Sequence, residues 1–142
     1  MRTAIFFLFC IIGSFNLFSQ VDDSVSIEIS QNEYENSIWE WGDISKKPTF
    51  PGGMGEFYKF IQLNFVYPID EKTNKIEGTI YLWFVIEKNG KVSNVEILKG
   101  VSPGLDTEAV RVLKSSPRWL PGKVNNQRVR VSFTLPLKLS VQ

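Results

Sequence analysis

The chain has 142 residues, 43% of them hydrophobic, with 16 Lys and Arg against 15 Asp and Glu, enough for one globular core and too few to expect two. It contains no histidine and a single cysteine, Cys10, which excludes Ser-His-Asp and Cys-His catalysis and leaves the commonest transition-metal ligand sets unfilled. The near-neutral total hides a split: residues 21–45 carry seven acids and no Lys or Arg, whereas residues 46–142 carry fifteen bases against eight acids.

Met1 and Arg2, the apolar run of residues 4–19, and then Gln20, Asp22 and Asp23 read as a secretory signal over residues 1–20. As a helix that run reaches roughly 24 Å at about 1.5 Å per residue, short of a hydrocarbon core of about 30 Å. An uncleaved anchor is the alternative. Phe9 stands before Cys10, where a lipoprotein signal has a small residue, so lipidation is not expected. Removal of the leader would leave no cysteine for a disulfide or a Cys-based zinc site.

Residues 21–47 read as an acidic spacer. Within it Val25, Ile27 and Ile29 alternate as one short strand would, and Ile38, Trp39 and Trp41 form an aromatic knot. The spacer either stays solvated or folds back on the basic domain.

The domain, residues 48–142, opens at the turn-rich Pro48-Thr49-Phe50-Pro51-Gly52-Gly53. Met54, Phe57 and Ile61, with Phe60 and Phe65 nearby, fit one face of a helix that ends before Tyr67-Pro68, because proline biases its predecessor toward extended backbone. From Gly78 to Ile86, Ile80, Leu82, Phe84 and Ile86 alternate with Thr79, Tyr81, Trp83 and Val85, which predicts a half-buried strand. Asn89-Gly90 then predicts a hairpin with a type I′ turn, returning along residues 92–98. Leu105, Ala109, Val112 and Leu113 space out a second amphipathic helix, with Asp106 as N-cap or first-turn acid and Pro117 as the stop. After a polar loop the alternation is cleanest in residues 128–137: Val129, Val131, Phe133, Leu135 and Leu137 on one side, Arg128, Arg130, Ser132 and Thr134 on the other. Pro136 cannot donate to a ladder, which places this strand at a sheet edge.

The order helix, strand, strand, helix, strand gives an α+β fold, two helices on one face of a small three-stranded antiparallel sheet. Here the residues resemble the C-terminal domain of TonB-type energy transducers, in the form common among Bacteroidetes. The matching pieces are Phe50-Pro51-Gly52-Gly53, Tyr67-Pro68, Ile76-Glu77-Gly78-Thr79, Asn89-Gly90-Lys91-Val92, Leu105-Asp106-Thr107-Glu108-Ala109, the run from Pro117 through Arg118, Trp119, Leu120, Pro121 and Gly122 to Lys123, and residues 129–136. Each alone is weak, but together they cover about residues 48–139 in the right order.

The resemblance implies a periplasmic, non-enzymatic domain that captures an extended peptide, the TonB box of an outer-membrane receptor, beside its last strand, with no cofactor or metal. It carries the peptide-binding role to Arg128, Val129, Arg130, Val131, Ser132, Phe133, Thr134 and Leu135, with Tyr67 and Pro68 adjoining. Main-chain pairing would supply affinity and side-chain pockets selectivity. Family members driven by ExbB and ExbD have a membrane anchor with a motor-contacting histidine and a long Pro-rich spacer; this chain has no histidine and no Pro-rich run. Binding therefore carries the expectation. A short transducer in the inner membrane and a structural module forming a homodimer are the alternatives.

Several residues keep two readings. Tyr81 and Trp83 are cross-strand aromatics on a wet face, or are covered by the Ile38-Trp39-Trp41 knot, by residues 25–29 or by a second subunit. Arg128 and Arg130 are solvated edge charges or steer an acidic peptide; export argues against nucleic acid. Trp119 between prolines closes the core rather than offering a ligand platform. Asp106 and Glu108 suit a helix N-terminus, and Gly52-Gly53 lacks the Gly-Lys-Ser/Thr of a phosphate loop.

Overall fold

The computed structural model describes residues 36–142, and its compact unit runs from Ile38 to Gln142. The expected leader and the strand at residues 25–29 lie outside the described residues. The elements are β1 (Ile38–Trp39), α1 (Met54–Asn64), α2 (Ile69–Thr73), β2 (Gly78–Ile86), β3 (Val92–Lys99), α3 (Pro103–Lys114), β4 (Gly122–Val124) and β5 (Gln127–Leu139). Among the described residues no helix is long and apolar enough to cross a membrane.

The fold is α+β, and the three expected strands form its centre. β2 pairs antiparallel with β5 from Gly78↔Leu139 to Ile86↔Val131, and with β3 on its other side. The sheet has five strands rather than three: β1 adds parallel to β5, giving the order β1-β5-β2-β3, and β4 also pairs with β5. Neither addition is long enough to show the period of two by which a strand is read from sequence. Ile38 to Lys47, expected as spacer, belong to the compact unit, with Lys46 bridged to Lys123.

The helices form where the apolar spacing falls, and their buried residues merge with the inner face of the sheet. Phe57 and Ile61 of α1 and Leu105, Ala109, Val112 and Leu113 of α3 pack with Ile80, Leu82, Phe84, Leu135 and Leu137. Trp119 closes this core at 2% exposure, its ring against Phe50, Phe57 and Phe84 and its Nε1 donating to Ser116 Oγ at 3.0 Å. A smaller cluster joins Ile44, Val129 and Val131 to Trp39, Trp41 and Val124.

Local signals decide one alternative, Asp106 being the first-turn acid of α3 and not its cap, and differ from expectation at two further points. The cap of α3 is Ser102, whose Oγ accepts from Leu105 N at 3.2 Å, with Pro103 at the first helical position, a placement its missing N–H favours. Asp106 sits in the first turn and accepts from Val101 N at 2.9 Å. The β2–β3 turn is not type I′: only Gly90 has positive φ (83°), and Gly90 N donates to Glu87 O while Glu87 N donates to Lys91 O, the three-residue loop with a glycine bulge. The two-residue turn with both central φ positive lies instead at Asn125 (48°) and Asn126 (65°), where Val124 faces Gln127 in what reads locally as a polar loop.

Candidate functional site

Strand β5 alternates as the sequence predicts. Val129, Val131, Leu135 and Leu137 are buried, Phe133 half-buried, while Arg128, Thr134 and Pro136 are exposed. What pairs with its two flanks decides where anything could be added. β2 takes one flank along residues 131–139.

The head of the strand is already engaged. Arg128 and Val129 pair with Lys123 and Gly122; on the flank opposite β2, Arg130 and Val131 pair with Ile38 and Trp39. Ser132 Oγ donates to Trp39 O at 3.4 Å, and the Trp41 ring meets Phe133 edge-on at 4.8 Å. The strand thus lies at an edge only beyond Ser132: among the described residues, no named strand pairs with residues 133–139 on that flank.

Arg130 is held rather than presented to solvent. Its Nε and Nη2 donate to Glu87 Oε2 and Oε1 at 2.8 and 3.0 Å, and Ser93 Oγ donates to the same carboxylate. The Arg130 bonds hold the Glu87 carboxyl below the usual carboxylate range, against the opposing effect of burial. The residue that could steer an acidic peptide is therefore neutralised in place, leaving Arg128 exposed nearby.

Tyr67 comes to the foot of β5, not to its head, sharing a lining with residues 137–142. Pro68, extended at ψ 145°, caps α2, and the Tyr67 hydroxyl donates to Ile76 O. Burial, followed by the charges of Glu77 and Glu71, pushes the Tyr67 phenol up. The loop before it is tied to α3: Val66 N donates to Glu108 Oε1 at 2.7 Å, and Arg111 Nη2 to Asn64 O at 2.9 Å. Arg111 first, then Val66 N, lower the Glu108 pKa against burial. Asp106 and Glu108 are thus taken up as main-chain acceptors.

Beside Tyr67, α1 and the end of β5 border an open cavity of about 430 Å³, lined by Tyr58, Ile61, Gln62, Phe65, Tyr67, Lys72 and residues 137–142. Sequence reasoning missed it, because a gap between a helix and a strand leaves no local pattern. Exposed Leu63, Val66 and Ile69 surround the same loop.

The aromatic knot does not cover Tyr81 and Trp83. Trp39 and Trp41 pack with Val129 and Val131, whereas Tyr81 and Trp83 pair with Pro136 and Thr134 on the opposite sheet face. The parity of Val131 in β5, set by its apolar neighbours, draws the tryptophans to the helix side. Tyr81 remains 40% exposed.

The family model for the Gram-negative bacterial TonB protein C-terminal region matches residues 64–139. Among solved structures, the Helicobacter pylori TonB C-terminal domain aligns at 18% identity over 63% of this chain and 80% of its own, with a TM-score of 0.48. The Pseudomonas aeruginosa TonB C-terminal domain aligns at 18% identity over 75% of this chain and 99% of its own, with a TM-score of 0.44. No curated protein sequence matches the chain.

Proposed function

The chain belongs to the family of Gram-negative bacterial TonB C-terminal domains, and from that premise we propose that it acts in the periplasm, in TonB-dependent transport, by binding an outer-membrane receptor. The bound element is a short extended receptor peptide, the TonB box, added as a strand beside β5. One observation carries this reading: β5 is paired with β2 along residues 131–139, while its other flank has β1 at Arg130 and Val131 alone among the described strands.

Main-chain groups beyond Ser132 offer a ladder to any extended segment, at about 0.5–1.5 kcal/mol net per bond. This chemistry needs no cofactor and makes or breaks no covalent bond. Coupling to ExbB and ExbD is a separate step that strand addition does not require. Titration of the full chain with a labelled TonB-box peptide tests the reading. N-methylation at alternate peptide amides should abolish binding, and N-methylation at the intervening ones should not. Equal affinity for all the N-methylated peptides would contradict it.

A further inference from the structure

We propose that the sheet face turned away from the helices docks on an anionic lipid surface, its aromatic centre at the headgroup level and its bases on the lipid phosphates. This face is separate from the flank of β5 that strand addition uses, so the two stand independently.

Strand pairing stacks like charges at the head of the face. Lys46 N donates to Lys123 O at 3.0 Å and Lys123 N to Lys46 O at 2.8 Å, and Lys123 lies opposite Arg128. Directly opposite residues share a face, so three cations stand in one row, a placement that costs stability. Arg130, next on that face, is neutralised by Glu87. Lys46, Lys123 and Arg128 have no ion pair among the described residues. Towards the foot, Lys99 lies opposite Tyr81 and Lys138 opposite Thr79, both exposed. The described strands carry Lys99, Lys123, Arg128, Arg130 and Lys138 against Glu96 alone.

Between the basic ends stand Tyr81 and Trp83, flanked by Pro136 and Thr134. Tyr81 is 40% exposed and Trp83 half-buried, and no hydrogen bond among the described residues takes the tip of either ring. An apolar ring with a polar tip suits the boundary between water and hydrocarbon. Charge favours an extended partner. Arg128 and Lys138 stand at opposite ends of β5, roughly 33 Å apart at about 3.3 Å per residue, too far for one small anion to join. A layer of lipid phosphates meets both ends at once, and the aromatic centre between them favours lipid over a hydrophilic polyanion.

Lysine acetylation of the full-length chain, read residue by residue by mass spectrometry, tests this with phosphatidylcholine vesicles containing or lacking phosphatidylglycerol. Lys46, Lys99, Lys123 and Lys138 should become severalfold less reactive when phosphatidylglycerol is present, and Lys59 and Lys114 on the helices should not. Lys123→Gln should lower affinity for the anionic vesicles about fivefold. Without lipid the same variant should melt no lower than the parent, because a like-charge contact is lost. Tyr81→Ser should weaken the shielding as well. Shielding that is equal for the two vesicle types, or as strong at Lys59 and Lys114, would overturn the assignment. So would equal shielding by soluble polyphosphate that Tyr81→Ser leaves unchanged, which would mark the partner as a hydrophilic polyanion.

Discussion

Trp39 lies in parallel register with Val131, on the flank of β5 opposite β2. A segment that reads as part of an acidic spacer is thereby part of the sheet, and it sets where the open edge begins. Ile38→Pro removes a main-chain donor from this two-residue strand. Stability should fall by about 1 kcal/mol, and amide exchange should rise at residues 130–132 but not at the buried centre of β2. Unchanged exchange at residues 130–132 would contradict the pairing.

Glu87 and Arg130 form a two-pronged pair at 2.8 and 3.0 Å, each side chain about a quarter exposed. Glu87→Gln should cost about 1–3 kcal/mol at neutral pH. The folded pKa of Glu87 is lowered, so its contribution is complete above the ordinary Glu range and disappears as pH falls through the lowered value. Denaturant melts of parent and variant should differ at pH 7 and converge in acid. A difference that persisted at low pH would place the effect elsewhere.

Gly90 has φ 83°, and a Cβ there would lie 2.0 Å from the Trp119 carbonyl oxygen. Trp119 N also donates to Gly90 O at 2.8 Å. Gly90→Ala should destabilise by at least about 2 kcal/mol, and Asn89→Ala by clearly less, in urea melts of the two variants. Comparable losses would contradict the assigned turn.

Glu108 binds Val66 N and Arg111 and so fixes the loop that carries Phe65 and Tyr67 to the cavity. Glu108→Gln keeps the size but weakens the charge-assisted bonds. Amide exchange at Val66 should accelerate, while the buried face of α3, at Leu105 and Val112, stays protected. Unaltered exchange at Val66 would contradict this tether.

Periodicity made most of the fold legible. The alternations in Gly78–Ile86 and in β5 and the helical spacings of Phe57–Ile61 and Leu105–Leu113 each recur often enough to fix a period, and the structure forms each element there, with Val85, on the outer parity of β2, buried beside a register shift. Ile38–Trp39 is too short to carry one, and its strand is seen only through pairing with Arg130 and Val131 and the packing of Trp39 on Val129 and Val131. At Asn89-Gly90 the hairpin was legible but the turn type was not, because Gly90 is fixed by its approach to Trp119 rather than by local preference. In the candidate site, the buried and exposed faces of β5 followed from sequence. The grip of Glu87 on Arg130, 43 residues apart, and the cavity between α1 and β5 arise only when distant segments meet.

Residue-resolved amide hydrogen exchange of the full-length chain, with and without a bound TonB-box peptide, tests strand addition most directly. Added pairing should protect alternate amides within residues 133–139 and leave the β3 edge unchanged. Protection that appeared along β3 or around Tyr81, with none gained in residues 133–139, would contradict it.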